Sequence, residues 1–188
     1  MSVIQNARVY MKWINETIRL DAIASTAKSR KVYRGQVYWC YFGVNIGSEQ
    51  NEKRPCVILQ NNIGNLSSPN TIVAPITHTN TKLPTVIPID AKYNALGKLL
   101  LDGNVLLSHI KTVCKSRLDG YITDLTADEM KLVNEAVAKS IDLHTIFVKQ
   151  EKQLSGQQAH IDNLTETIRL KDTEIAKLNE EISRLKNS

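Results

Sequence analysis

The sequence predicts an α+β chain that is mainly β: a small SH3-like antiparallel β-barrel with a capping helix, an N-terminal helix and a C-terminal coiled-coil helix. Three observations predict it. Between residues 36 and 114 lie short β-branched and aromatic runs separated by Gly, Pro, Asn and Ser turns, the spacing of strands in a small barrel. Ahead of an amphipathic stretch, Thr126 stands three residues before Glu129, which is a helix-opening capping box. From Ile161 onward the apolar residues recur as a heptad, the period of a coiled coil.

Taken in order, residues 3–23 place Ile4, Ala7, Met11, Ile14, Ile18 and Ala22 at spacings of three and four. That is the signature of an amphipathic helix. The polar, basic run 25–34 reads as a linker. Strands are predicted at 36–42, 56–60, 71–77, 85–89, 104–107 and 110–114. The capping box then opens a helix whose apolar face is Met130, Val133, Val137 and Ile141. In the tail, Ile161, Ile168, Ile175 and Ile182 occupy a positions, and Leu164, Leu178 and Leu185 occupy d, with Lys171 at the remaining d. The phase extends back through Leu154, Phe147 and Leu143, with Gln150 and Gln157 at polar d positions. Gly156 weakens that upstream portion by about 1 kcal/mol relative to alanine. The organisation is residues 1–30 as N-terminal helix and basic linker, 31–142 as barrel, and 143–188 as coiled-coil helix.

At 188 residues with a net charge of +5, the chain is one domain with appendages rather than two full domains. The excess charge sits at the front, where Lys28, Arg30, Lys31 and Arg34 crowd together without an acid. Such a patch suits a polyanion, and a solvated basic linker is the plain alternative. Cys40, Cys56 and Cys114 lack CxxC spacing, so neither a disulfide framework nor a zinc site is indicated. Asp102, Asp119, Asp124 and Asp128 do not stand at a metal-ligand spacing, and no metal or cofactor is expected. No apolar stretch reaches the roughly 20 residues of a membrane helix, and no signal-peptide core is read at the N-terminus. The expectation is a cytoplasmic protein with no membrane association.

The most informative segment is Gly47-Ser48-Glu49-Gln50-Asn51-Glu52-Lys53-Arg54-Pro55, followed by an apolar run and then Thr71-Ile72-Val73-Ala74-Pro75-Ile76-Thr77. Pro55 pushes Arg54 toward an extended backbone, and a guanidinium fork matches a phosphate better than an ammonium does. An ordinary surface arginine at a strand entrance is the competing reading. Pro75, inside a strand-like run, implies an edge or a bulge.

From about Val32 to Leu143 the chain resembles the MazF/PemK-like toxins. The resemblance rests on Arg34-Gly35-Gln36-Val37-Tyr38-Trp39, the Gly47–Pro55 segment, Ile58-Leu59-Gln60-Asn61-Asn62-Ile63-Gly64-Asn65, Ser68-Pro69, Val73 to Thr77 and Lys82-Leu83-Pro84-Thr85, in the family's order and spacing. It implies a PemK/CcdB-like barrel and a toxin that cleaves single-stranded RNA without a metal. The family's catalytic arginine and threonine fall on Arg54 and Thr77. Attack by the ribose 2′-hydroxyl would leave a 2′,3′-cyclic phosphate and a 5′-hydroxyl. Arginine holds its proton too tightly to be a good base, so Arg54 is read as stabilising the phosphorane, with Thr77 donating to the same oxyanion. Ser48, Glu49, Gln50 and Lys53 are expected to shape the loop and contact RNA, joined by His78 and His109. Implied partners are a cognate antitoxin and a second copy paired through the barrel.

Two departures stand out. Asn51-Glu52 replace the paired glycines of many relatives, stiffening the loop and adding an acid beside Arg54. Ser108-His109-Ile110-Lys111-Thr112 stands where many carry Glu-Gln before Ile-Arg-Thr. His109 is a candidate for base contact or acid–base work, against a strand-end histidine satisfied by backbone. Two other functions compete: a same-fold poison of a protein such as a topoisomerase, and a non-catalytic DNA-binding regulator. For the tail, self-association in a parallel pair competes with folding back on the N-terminal stripe and with an unknown partner.

Overall fold

A strand buried on both faces needs apolar residues at consecutive positions, and the runs Val37 to Phe42 and Cys56 to Leu59 supply them. The computed structural model describes residues 3–78 and 82–186, and divides into two compact units, residues 1–141 and 142–188. In the first, helix α1 (Val3–Ala22) precedes strands β1 (Gln36–Gly43) and β2 (Glu52–Ile58), short helix α2 (Asn62–Ser67) and strand β3 (Asn70–Thr77). Strands β4 (Val86–Tyr93), β5 (Leu99–Leu106), β6 (Lys111–Cys114) and β7 (Leu118–Asp124) follow, then helix α3 (Ala127–Ser140). The second unit is helix α4 (Leu143–Lys186).

The strands form one curled antiparallel sheet, a half-barrel of order β4-β5-β3-β2-β1-β7 with β6 also on β3. Side-chain alternation sends one set inward to a core under α3, including Val37, Val57, Ala74, Ile76, Val105 and Val133. The other set, Tyr38, Cys40, Phe42, Cys56, Ile58, Val73 and Val113, forms a second core on the opposite face. Cys40 and Cys56 are thus buried small hydrophobes.

Several elements differ from the sequence expectation. Strand β2 begins at Glu52 rather than residue 56, so Arg54 belongs to a strand, because β1 pairs along its polar entrance. Strand β7 and helix α2 were not anticipated. The first carries Asp119 and Gly120 and is largely exposed beyond its single partner β1; the second is only one and a half turns, capped by Asn61 accepting from the Gly64 N–H. The supposed linker holds a 3-10 segment, Ala24–Ser29, with Ala27 buried. Arg30 donates to the Leu118 and Asp119 carbonyls and Arg34 to Asn134. Two members of the basic patch are therefore structural clamps.

The docked face of α1 is also not the expected stripe. Ile4, Met11, Ile14 and Ile18 are exposed, whereas Leu20 is buried. Trp13 lies so close to Gly43 that a Cβ there would stand 2.5 Å from the indole, and the Arg117 guanidinium lies 5.2 Å from the ring centre. A bare backbone and a flat cation accept an indole plate better than an aliphatic ridge does.

Helix α3 is anchored by Glu129. Its carboxylate accepts from Lys92 Nζ at 2.8 and 2.9 Å, from the Asp90 N–H at 3.0 Å and from the Thr126 N–H at 2.7 Å. Burial pushes this carboxyl up, but the Lys92 ammonium and the two backbone donors together outweigh it and hold it below the usual glutamate range. A carboxylate depressed in the folded state stabilises above its unfolded pKa, and that contribution fades as pH falls through the folded value. Glu129→Gln should therefore cost about 3 kcal/mol near neutrality, where it leaves the largely covered Lys92 ammonium without its counter-charge. Urea denaturation at successively lower pH should show the gap to wild type closing once the pH falls below the usual glutamate range.

Candidate functional site

The loop between β1 and β2 is tied down by asparagines. The Asn45 N–H donates to Asn51 Oδ1 at 2.7 Å, and Asn45 Nδ2 donates to the Gln50 carbonyl at 2.6 Å and the Phe42 carbonyl at 3.3 Å. Lys111 Nζ on β6 reaches Asn45 Oδ1 at 3.3 Å. Neither Asn45 nor its role was read from the sequence; a short polar residue in a loop carries no pattern. Glu52 closes the loop at φ +66°, a left-handed backbone that glycine adopts without strain. The chain keeps the geometry of the missing glycine with a glutamate in its place.

A cavity of about 490 Å³ opens beneath this loop, lined by Phe42, Asn45, Ser48, Glu49, Gln50, Ser108, His109 and Lys111 among others. Four residues singled out in the sequence, Ser48, Glu49, Gln50 and His109, thus meet at one place although 59 positions separate Gln50 from His109. His109 Nδ1 is buried with no hydrogen-bond partner among the described residues. Its backbone N–H donates to Leu106, so the backbone satisfies the main chain here and not the ring.

Arg54 stands near the start of β2. Its Nε donates to the Asn51 carbonyl at 2.8 Å, so the loop that walls the cavity also orients the guanidinium. Among the described residues Glu52 makes no ion pair with Arg54. Arg54 pairs with Cys40 across to β1 and shares its face of the sheet, the face to which cavity-lining Phe42 also belongs by alternation.

Thr77 comes from β3. That strand pairs Val73, Ala74 and Pro75 with Ile58, Val57 and Cys56 of β2, and Asn70 to Val73 with β6. At Ile76 and Thr77 it joins β5 instead, opposite Val105 and Asn104. Pro75 is therefore not on an edge strand; it stands where the strand changes partners. The β2–β3 pairing ends at Cys56 and Pro75, so Arg54 and Thr77 each lie two residues past its last pair. Close packing holds the threonine backbone, since a Cβ on Gly103 would stand 2.7 Å from the Thr77 carbonyl oxygen.

The other two candidates lie apart. Lys53 alternates to the face opposite Arg54, where it pairs with Asp119 and sits 5.1 Å from the Tyr41 ring centre. Its hydrogen bond to Asp119 raises the ammonium pKa. His78 is exposed, and its Nε2 meets Asp102 Oδ1 at 2.8 Å. Among the described residues no three His, Cys, Asp or Glu side chains gather as a metal site, and no helix is long and apolar enough to cross a membrane.

Comparisons with known proteins agree with this architecture. Endoribonuclease EndoA of Bacillus subtilis is 42% identical over 114 residues, covering 60% of this chain and 96% of that protein. Endoribonuclease MazF of Staphylococcus saprophyticus is 44% identical over 116 residues, covering 60% and 93%. The solved structure of a mycobacterial endoribonuclease in complex with its cognate antitoxin superposes with a TM-score of 0.50 at 27% identity, covering 60% of this chain and 96% of that one. The family model for PemK-like, MazF-like toxins of type II toxin–antitoxin systems matches residues 33–141, the whole sheet with α3, and this chain belongs to that family.

Proposed function

We propose that the chain is a metal-independent, sequence-selective endoribonuclease, the toxin of a toxin–antitoxin pair, acting on single-stranded RNA in the cytoplasm. The observation that carries the reading is the 47–55 loop itself, whose Ser48, Glu49 and Gln50 line one cavity with His109 while its Asn51 carbonyl accepts from Arg54 Nε. Two relatives above 40% identity bear the name endoribonuclease, which supports it.

In this reading the strand threads past the loop with a scissile phosphate between Arg54 and Thr77. The ribose 2′-hydroxyl gives up its proton as its oxygen bonds to phosphorus, the P–O5′ bond breaks, and the departing 5′-oxygen takes up a proton, so that a 2′,3′-cyclic phosphate and a 5′-hydroxyl leave. Negative charge grows on the non-bridging oxygens, where a guanidinium and a hydroxyl donor act most strongly. Ser48, Glu49 and Gln50 offer polar contacts to the neighbouring nucleotide, and the His109 ring, which lines the same cavity, supplies a contact to a base. Lys53 and His78, held by Asp119 and Asp102, lie outside the cavity lining. A relative solved with its cognate antitoxin supports an antitoxin that blocks this groove, and the family resemblance supports a homodimer through the barrel.

The test is incubation of the purified protein with a long single-stranded RNA in excess EDTA. Cleavage should proceed at an undiminished rate, since the nucleophile belongs to the substrate. Full loss of activity restored by magnesium would refute the metal-independent mechanism, and salt-sensitive duplex binding without cleavage would favour the DNA-binding alternative.

A further inference from the structure

Helix α4 runs 44 residues from Leu143 to Lys186 with no buried residue in its own unit. Its seam is left wet: Ile161, Leu164, Ile168, Ile175, Leu178 and Ile182 are each about half exposed. From Ile161 to Leu185 this seam is about 36 Å long at 1.5 Å per residue. A solitary helix gains nothing from such a stripe, whereas a paired one buries it.

We propose that α4 forms a parallel, in-register two-stranded coiled coil with α4 of a second copy of this chain. Ile at a with Leu at d is the combination that favours two parallel strands. The charges then decide orientation. In a parallel pair, g faces the partner's following e. Glu181 meets Lys186, Glu174 meets Asn179 and Thr167 meets Asp172, with no like-charge contact. Lys171, the one polar residue among these core positions, lies at d, flanked by Asp172 at e of the second copy. Its ammonium therefore leaves the seam toward a carboxylate only when the two helices are in register. In an antiparallel pair with full overlap, g faces g and e faces e. That sets Glu174 against Glu174 and Asp172 against Asp172 and leaves Lys186 without a partner. Lys171 thus acts as a register pin, a use of polar core residues at some cost in stability.

The full-length chain tests this by disulfide capture in a Cys114→Ser background, which removes the partly exposed native thiol while Cys40 and Cys56 stay buried. Leu178→Cys at d should convert to a disulfide-linked dimer under mild oxidation, because parallel, in-register d positions face their own copies. Glu180→Cys at f should remain monomeric on the same gel. Adding Ile168→Asp and Ile175→Asp to Leu178→Cys should lower the linked fraction at least about tenfold. Absence of a link at Leu178→Cys, equal linking at Glu180→Cys, or a link that survives the two aspartates would overturn the proposal. So would a mixture of Ile168→Cys and Leu178→Cys chains that links only to each other, since that marks the antiparallel arrangement. A tail that docks on its own α1, or on a different protein, gives no link specific to position 178 and counts against it equally.

Discussion

Arg54→Ala is expected to lower the rate of RNA cleavage by at least about 100-fold with the fold intact, and Thr77→Ala to do the same. A loss of that size follows when one donor aimed at a developing oxyanion is removed. The effect belongs in kcat, because the charge that the guanidinium and the hydroxyl meet grows only in the transition state. The fold should survive since Arg54 is half-buried at a strand entrance and its hydrogen bond goes to a loop carbonyl that water can satisfy in its place. Thr77→Val separates shape from chemistry, as it keeps the β-branch and removes only the hydroxyl. Initial rates on a single-stranded RNA, with thermal melts of each variant, check the expectation. Wild-type rates in both alanine variants would remove these residues from the mechanism.

The second large effect is expected at Gly103, which touches no substrate. Its φ of +116° lies where side chains are strained, and an added Cβ would meet the Thr77 carbonyl oxygen at 2.7 Å and carbonyl carbon at 3.1 Å. Those are backbone atoms in a paired strand and cannot swing aside. Gly103→Ala should cost about 2–3 kcal/mol in stability, and it should reduce cleavage further than the stability loss explains, because the residue it displaces is Thr77. Gly120→Ala is the control: nothing lies within 4 Å of its Cβ position, so it should change stability by less than about 0.5 kcal/mol. Urea denaturation with cleavage assays measures both. A Gly103→Ala protein of wild-type stability and activity would show that β5 does not hold Thr77 in place.

The parts of this fold that were legible in the sequence are those where one local rule decides. The capping box at Thr126 and Glu129 is present with both hydrogen bonds, because the motif encodes its own geometry. The β-branched runs became strands for the same reason. Position across the chain was harder. The apolar stripe of α1 marks the helix but not the face that docks, since Trp13 is met by Gly43 and Arg117, which lie far along the chain. Strand β2 extends through Glu52 and Lys53 because β1 offers partners to its backbone, which side-chain polarity cannot foretell.

For the candidate site, the motifs named Arg54 and Thr77 through resemblance, and the structure adds that β2 and β3, which carry them, are paired neighbours. The lattice of Asn45, Asn51 and Lys111 that holds the loop had no sequence signal, being two asparagines of one loop and a lysine from a distant strand. Lys53 is the instructive case. It neighbours Arg54 in every motif, yet alternation along β2 turns it to the other face.

The central claim is that Arg54 and Thr77 act on an RNA phosphate attacked by its own 2′-hydroxyl. Mapping the ends made from a long RNA tests it most directly, using a parallel substrate with a single deoxyribose at the scissile nucleotide. The account predicts 5′-hydroxyl ends, 2′,3′-cyclic phosphates and no cut at the deoxy position. Ends carrying a 5′-phosphate, or cleavage that persists at the deoxyribose, would contradict it.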